Sequence, residues 1–175
     1  SGHLRVEAPG TVTSSILGPI LCAFLDQHPG VDMDLRLVDR LSNPVELGSD
    51  LVIGIRPSAV EQILDFPLMP YPCAAYAGAG YLAAHGTPHH PRELVEHQCL
   101  VSLLFGSVWH FFGEGGDFAV TVKPRLSVND AIVLRQAVRH DLGIALLPCY
   151  LAQGDVAAGR LVPLLPGFSP SPLWL

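Results

Sequence analysis

The chain has 175 residues, 49% hydrophobic and 15% charged, which is enough apolar material for one large core or two small ones. Its formal charge is −6, and that excludes this segment as a surface built to grip a phosphate backbone. The same composition excludes disorder, and no apolar run is long enough for a membrane span.

The opening residues, SGHLRVEAPG, lack the basic and apolar regions of a signal peptide. Cys22, Cys73, Cys99 and Cys149 form no CxxC pair, and each sits in or beside an apolar run. Buried free thiols in a reducing compartment are therefore expected, not disulfides.

In chain order, residues 4–8 (LRVEA) predict a first strand, and 9–15 (PGTVTSS) a turn rich in hydroxyls that can cap a helix. Ile16, Leu17, Ile20, Leu21, Phe24 and Leu25 repeat in pairs every four residues, a helical stripe. Pro19 marks either a kink or the first turn of the main helical segment, and His28-Pro29-Gly30 stops it. Val31, Met33, Leu35 and Leu37 alternate with polar residues, so 31–38 is a strand with one wet face, at a sheet surface or edge.

Asn43-Pro44 starts a short helix ending near Gly48, and 51–55 (LVIGI) is a fully apolar strand. Pro67, Pro70 and Pro72 suit an extended crossing between two parts of the molecule. Beyond it come a strand over 73–77, a helix over 80–85, a helix opened by Pro91 and a strand over 99–104. Trp109–Phe112, GEGGD and 118–122 read as a β-hairpin.

The stretch RLSVNDAIVLRQAVRHDLGIALLP combines three devices. Ser127, Asn129 and Asp130 offer cap oxygens; Ala131, Leu134, Val138 and Leu142 form one apolar helix face; Gly143 can end the helix with positive φ. Arg135, Arg139 and His140 fall where positive charge complements the helix dipole. Residues 144–147 (IALL), closed by Pro148, predict a buried strand. A helix over 150–153, a segment over 159–162 and a strand beginning at 173–175 complete the chain.

Catalytic constellations are weak. HGTPHHP holds His85, His89 and His90 in a Gly/Pro loop, with no scaffold for a tetrahedral metal site. Glu7 and Asp130 both lie at helix approaches, where capping explains them better than acid–base work. Gly78-x-Gly80 lacks the context of a phosphate loop, and no GxSxG elbow occurs. The chain reads as a non-enzyme that needs no metal and no cofactor.

The run LRVEAPGTVTSSILGPILCAFLDQHPGVDMDLRLVDR resembles the start of the effector-binding domain of LysR-type transcriptional regulators. The resemblance continues through VELGSDLVIGI, YPCAAYAGAGYLAAHGTPHHPRELVEHQCLV, LSVNDAIVLRQAVRHDLGIALLP and AAGRLVPLLP, nearly the whole chain. It implies an α/β fold of two Rossmann-like lobes with a central cleft, like a type II periplasmic binding protein. One lobe would comprise residues 1–69 plus 148–175, the other 70–147.

It further implies a small, anionic metabolite held between the lobes by Gly10, Thr11, Val12 and Thr13, by Ser102 and Leu103, and by Val128, Asn129 and Asp130. Promoter DNA would be read by an N-terminal winged helix-turn-helix segment absent from this chain. Cytoplasmic location and a head-to-tail homodimer, tetrameric at full length, are also implied, with residues 16–27 and 31–38 packed near the partner's 130–141. The runner-up is a periplasmic solute-binding protein of a transport system, which shares the fold.

Overall fold

A computed structural model describes residues 2–38, 48–55, 66–103 and 105–175. The chain divides into two compact units: Ser1–Pro70 with Trp174–Leu175, and Tyr71–Leu173. Among the described residues, the first unit carries one parallel sheet in the order β2-β1-β3, with β1 at Gly2–Pro9, β2 at Val31–Val38 and β3 at Leu51–Val52. Gly2 lies opposite Val31 and Pro9 opposite Val38. β1 is therefore the central strand, and its Val6, Glu7 and Ala8 are buried, whereas the edge strand β2 leaves Leu35 and Leu37 exposed.

The expected turn after β1 is already helical. A turn of α-helix, α1 (Gly10–Val12), runs into a π-helical turn (Thr13–Leu17) and then into α2 (Gly18–Gln27). Pro19 explains this sequence of geometries. It has no N–H to donate and its ring crowds the carbonyl one turn back, so the chain widens before it: Gly18 N–H donates to Thr13 O, five residues earlier. Pro19 then sits in the first turn of α2, where its missing donor does no harm. The helix expected from Asn43-Pro44 lies outside the described residues, as does position 104 at the predicted end of a strand.

The second unit holds a five-stranded mixed sheet, β10-β4-β9-β5-β8, with β4 at Cys73–Gly78, β5 at Cys99–Ser102, β8 at Pro124–Val128, β9 at Ile144–Pro148 and β10 at Leu161–Leu164. Side chains alternate across it with period two. Ala75, Ala77, Ile144 and Leu146 enter one apolar cluster; Tyr76, Ala145 and Leu147 enter another on the opposite face. That two-sided cover is why 144–148 is apolar at every position, with all five residues buried.

The predicted hairpin forms β6 (Val108–Gly113) and β7 (Gly116–Thr121). It pairs with a third strand that periodicity did not indicate, β11 (Phe168–Pro170). This small sheet brings Trp109, Phe111 and Val120 into the first cluster.

The structure corrects the expected division of the chain. Residues 148–173 belong to the second unit, not the first. β9 runs directly into helix α5 (Cys149–Ala157), and β10 then adds antiparallel to β4, with Leu161 opposite Gly78. Leu161 and Ala152 are buried in the second cluster, which fixes the segment there. Only Trp174 and Leu175 return to the first unit, where Leu68 N–H donates to Leu175 O (2.7 Å) and Pro70 bridges Trp174.

Gly78-x-Gly80 has a structural use. Helix α3 (Ala79–His85) begins there, and Asp141 Oδ1 accepts from Tyr81 N–H at 2.9 Å. A methyl group on either glycine would overlap the Asp141 carboxylate, so the nest that resembles a phosphate loop is filled by the protein's own anion. Asp141 also takes the left-handed conformation (φ 57) that ends helix α4 (Ala131–Arg139), the role expected of Gly143. Gly143 is needed instead because a Cβ there would overlap Gln98 O. Gly80→Ala is expected to expel the carboxylate and to cost about 1–3 kcal/mol in urea-unfolding stability. A cost comparable to that of an exposed substitution would contradict this account of the glycine.

Candidate functional site

In the first unit, Gly10, Thr11, Val12 and Thr13 form the junction where β1 becomes helix. Val12 is fully buried, while Gly10 and Thr11 are partly exposed. Thr13 is 3% exposed, and its Oγ1 has no hydrogen-bond partner among the described residues. The expected capping by side chains is absent here: Pro9 is the cap position and makes no side-chain bond.

Glu7 also departs from expectation. It is not a helix cap; its Oε1 accepts from Ser49 Oγ at 2.9 Å, and its Oε2 is buried without a partner.

In the second unit the strand pairing brings the other candidates together. Ser102 lies opposite Val128 across β5 and β8, and Leu103 N–H donates to Val128 O at 3.0 Å. Asn129 and Asp130 follow directly, and Asp130 caps α4 by accepting from Val133 N–H at 2.8 Å. Ser102, Val128 and Asp130 are partly buried; Leu103 and Asn129 are exposed. Five candidates, from two short segments more than twenty residues apart in sequence, thus form one cluster at the ends of two parallel strands and the start of a helix. That is where open α/β sheets place ligand groups.

Charge in the second unit is organised around a residue that sequence reasoning missed. Asp155, in α5, is 4% exposed and faces three guanidinium groups. Arg160 Nε lies 2.7 Å from it, Arg135 Nε 3.4 Å and Arg139 Nε 3.5 Å. Arg135 also donates to Leu151 O. The arginines of α4 therefore tie that helix to α5 instead of serving only the helix dipole. A lone acid in the apolar run YLAQGDVAAG was the available signal.

Among the loop histidines, His85 and His89 are exposed and His90 is partly buried. His85 stacks on Tyr81 and bonds Tyr81 O; the His90 ring meets Phe118 and Phe168 edge-on. Tyr81 Oη accepts from Gln98 N–H and lies within hydrogen-bond distance, 3.1 Å, of His97 Nδ1. Burial, then the nearby His85, lowers the pKa of His97 from its ordinary value of 6.5. The unfolded chain therefore binds a proton at pH values where the folded chain does not. Stability from this residue is whole above about pH 6.5 and is lost as pH falls below it. Thermal unfolding between pH 8 and pH 5 is expected to show this decline, and His97→Gln is expected to flatten it.

All four cysteines are free thiols, but their burial differs from expectation. Cys99 is buried and Cys73 and Cys149 are partly so, while Cys22 is exposed because α2 buries none of its residues. Burial pushes the Cys73 and Cys99 thiols up to about 12, which keeps both protonated and inert.

The whole chain, residues 1–175, matches the LysR substrate binding domain. This chain belongs to that family. Among its relatives is the probable HTH-type transcriptional regulator LtrA of Klebsiella pneumoniae, 34% identical over 94% of this chain and 54% of LtrA. The HTH-type transcriptional regulator CrgA of Neisseria meningitidis is 28% identical over 94% of this chain and 55% of CrgA. The LysR substrate binding domain described here thus spans about half the length of these curated relatives.

The fold agrees. The full-length structure of the Vibrio cholerae virulence activator AphB, a member of the LTTR protein family, superposes with a TM-score of 0.86 at 24% identity, over 99% of this chain and 60% of that one. The CrgA regulatory domain superposes with a TM-score of 0.75 at 24% identity, over 99% of this chain and 88% of that one. These are two-lobed domains of the periplasmic-binding-protein type, so the expected fold class holds. The relatives are transcriptional regulators and not enzymes or transport proteins, which sets aside the solute-binding reading. This LysR domain is a regulatory, effector-binding domain. Among its described residues no helix is long and apolar enough to cross a membrane.

Proposed function

We propose that this domain senses a small anionic metabolite in the bacterial cytoplasm and passes the bound state to a DNA-reading segment elsewhere in the full-length regulator. The effector is taken by Gly10, Thr11, Val12 and Thr13 in the first unit and by Ser102, Leu103, Val128, Asn129 and Asp130 in the second. The observation that carries this is the register of Ser102 against Val128, which gathers five of the nine residues at one sheet end. Backbone N–H groups at helix starts favour an anion at both places. A winged helix-turn-helix segment would read promoter DNA, and the effector would shift its binding by favouring one arrangement of the regulator.

The test is genetic. Transcript profiles are compared among a wild-type strain, a deletion strain and a strain whose full-length protein carries Thr11→Ala and Asn129→Ala. The double variant is expected to lose effector-dependent regulation as the deletion does, while the protein accumulates and still binds DNA. A profile matching wild type would remove these residues from the site.

A homodimer fits the exposed surfaces. α2 is apolar yet buries none of its residues, and Ile20 (60% exposed), Leu35 (39%) and Leu37 (54%) are uncovered on α2 and β2. On α4, Ile132 (39%) and Val133 (48%) are uncovered as well. Isolated apolar residues on a surface are ordinary, but this many on three elements favour a partner. A head-to-tail pairing of one copy's α2 and β2 with the other copy's α4 covers all three and closes with two-fold symmetry. The double variant Ile20→Asp, Leu37→Asp is expected to run as a monomer in light scattering where the unaltered protein runs as a dimer.

A further inference from the structure

The acidic residue beside the proposed effector cluster of the first unit has no structural explanation. Glu7 sits on the central strand β1 and is 1% exposed. Its only side-chain partner among the described residues is a neutral hydroxyl, Ser49 Oγ, on one oxygen. The other oxygen is buried with none. Six residues on, past the turn into the helix, Thr13 repeats the pattern: 3% exposed, with Oγ1 buried and unpartnered.

A carboxyl group taken from water without a cation is costly, and polar atoms left unpaired inside proteins are uncommon. Two such atoms, one an acceptor and the other a hydroxyl, flank one strand–helix junction, and each lacks its complement. Neither satisfies the other, since both remain without partners.

We propose that Glu7 makes the effector site selective for a zwitterion: a small molecule with a primary ammonium group for Glu7 Oε2 and a carboxylate for the Gly10–Thr13 turn. An α-amino acid has this chemistry. The inference rests on the effector site proposed above and adds a cation requirement to it. The ammonium supplies N–H donors to the orphan oxygen and neutralises a charge that nothing else in the described first unit offsets. Thr13 Oγ1 takes a polar group of the same ligand. An amine-free carboxylate would leave the Glu7 charge unpaired beside its own charge, so the site rejects it.

The experiment uses matched pairs as probes: L-alanine with propionate, L-glutamate with glutarate, L-phenylalanine with 3-phenylpropionate and L-arginine with 5-guanidinovalerate. Binding is followed by thermal shift and calorimetry on the unaltered protein and on Glu7→Gln. At least one amine-bearing member is expected to bind while its amine-free counterpart does not, with Glu7→Gln weakening it about 10- to 100-fold. A carboxylate that binds as tightly as its amino analogue, is indifferent to Glu7→Gln and is lost in Thr11→Ala would overturn the zwitterion claim and leave the effector site standing. Binding indifferent to both substitutions would overturn both.

The ligand-free protein gives a second, independent reading. If Glu7 is held for a ligand, Glu7→Gln relieves an unpaired buried acid and is expected to raise Tm by about 3 °C. A fall in Tm would show that Glu7 supports the fold itself, and the proposal would fail.

Discussion

Replacing Asp155 by alanine is expected to destabilise the protein by about 3 kcal/mol, lowering Tm by roughly 6–12 °C. The carboxylate is 4% exposed and is the shared counter-charge of Arg135, Arg139 and Arg160. Its removal leaves three guanidinium groups facing one another, and the Arg135 and Arg139 side chains are only 26% and 33% exposed. The penalty is mainly that of cations left unpaired where water reaches them poorly. Arg160 has the shortest contact, yet its side chain is 51% exposed. Water can replace it as Asp155's partner only in part, but the lost attraction is screened, so Arg160→Ala is expected to cost about 1 kcal/mol or less. Urea unfolding of the two variants checks the order. Equal losses would mean that Asp155 is a local partner of Arg160 and does not tie α4 to α5.

Trp109→Ala is expected to cost about 3–5 kcal/mol, the largest effect of any single side chain considered. Trp109 is 1% exposed, lies in the cluster between the hairpin sheet and the five-stranded sheet, and donates Nε1–H to Gly106 O at 3.0 Å. Alanine opens a cavity that the two sheets cannot close without breaking register, and it strands a carbonyl. Trp109→Phe keeps much of the volume but not the donor, so it is expected to fall between wild type and alanine. Trp174→Ala, at a position 44% exposed, is the control and is expected to stay within about 0.5 kcal/mol. Similar losses at the two tryptophans, measured by thermal unfolding, would contradict the placement of the core.

Element types were legible wherever one period dominated. The alternation VDMDLRLV gave an edge strand with a wet face, and IALLP gave a central strand buried on both faces. The helix after β1 was legible in existence but not in geometry, since nothing in a stripe of apolar residues distinguishes a π turn ahead of Pro19.

The apolar stripe of α2 was legible, but what covers it was not. Periodicity reports that a face is apolar, not whether its cover comes from the same chain. The boundary at 148, which the resemblance implied, failed because the antiparallel return of β10 onto β4 depends on pairing between residues some eighty positions apart. In the candidate site, Asp130 was legible as a cap because cap chemistry is local. Glu7 was misread as another cap, since its partner Ser49 lies on a distant segment and only the fold brings the two together.

The central claim is that the nine residues around Thr11 and Asn129 bind a small metabolite. Calorimetric and thermal-shift titration of the purified domain with a panel of small carboxylates and amino acids tests it most directly. A ligand present at 100 times its dissociation constant is predicted to add about 2.7 kcal/mol to the stability of the wild-type domain. It is predicted to add almost nothing to a domain carrying Thr11→Ala and Asn129→Ala that is itself folded. A panel that leaves Tm unmoved at millimolar concentration, or a shift that survives the double substitution intact, would contradict the account.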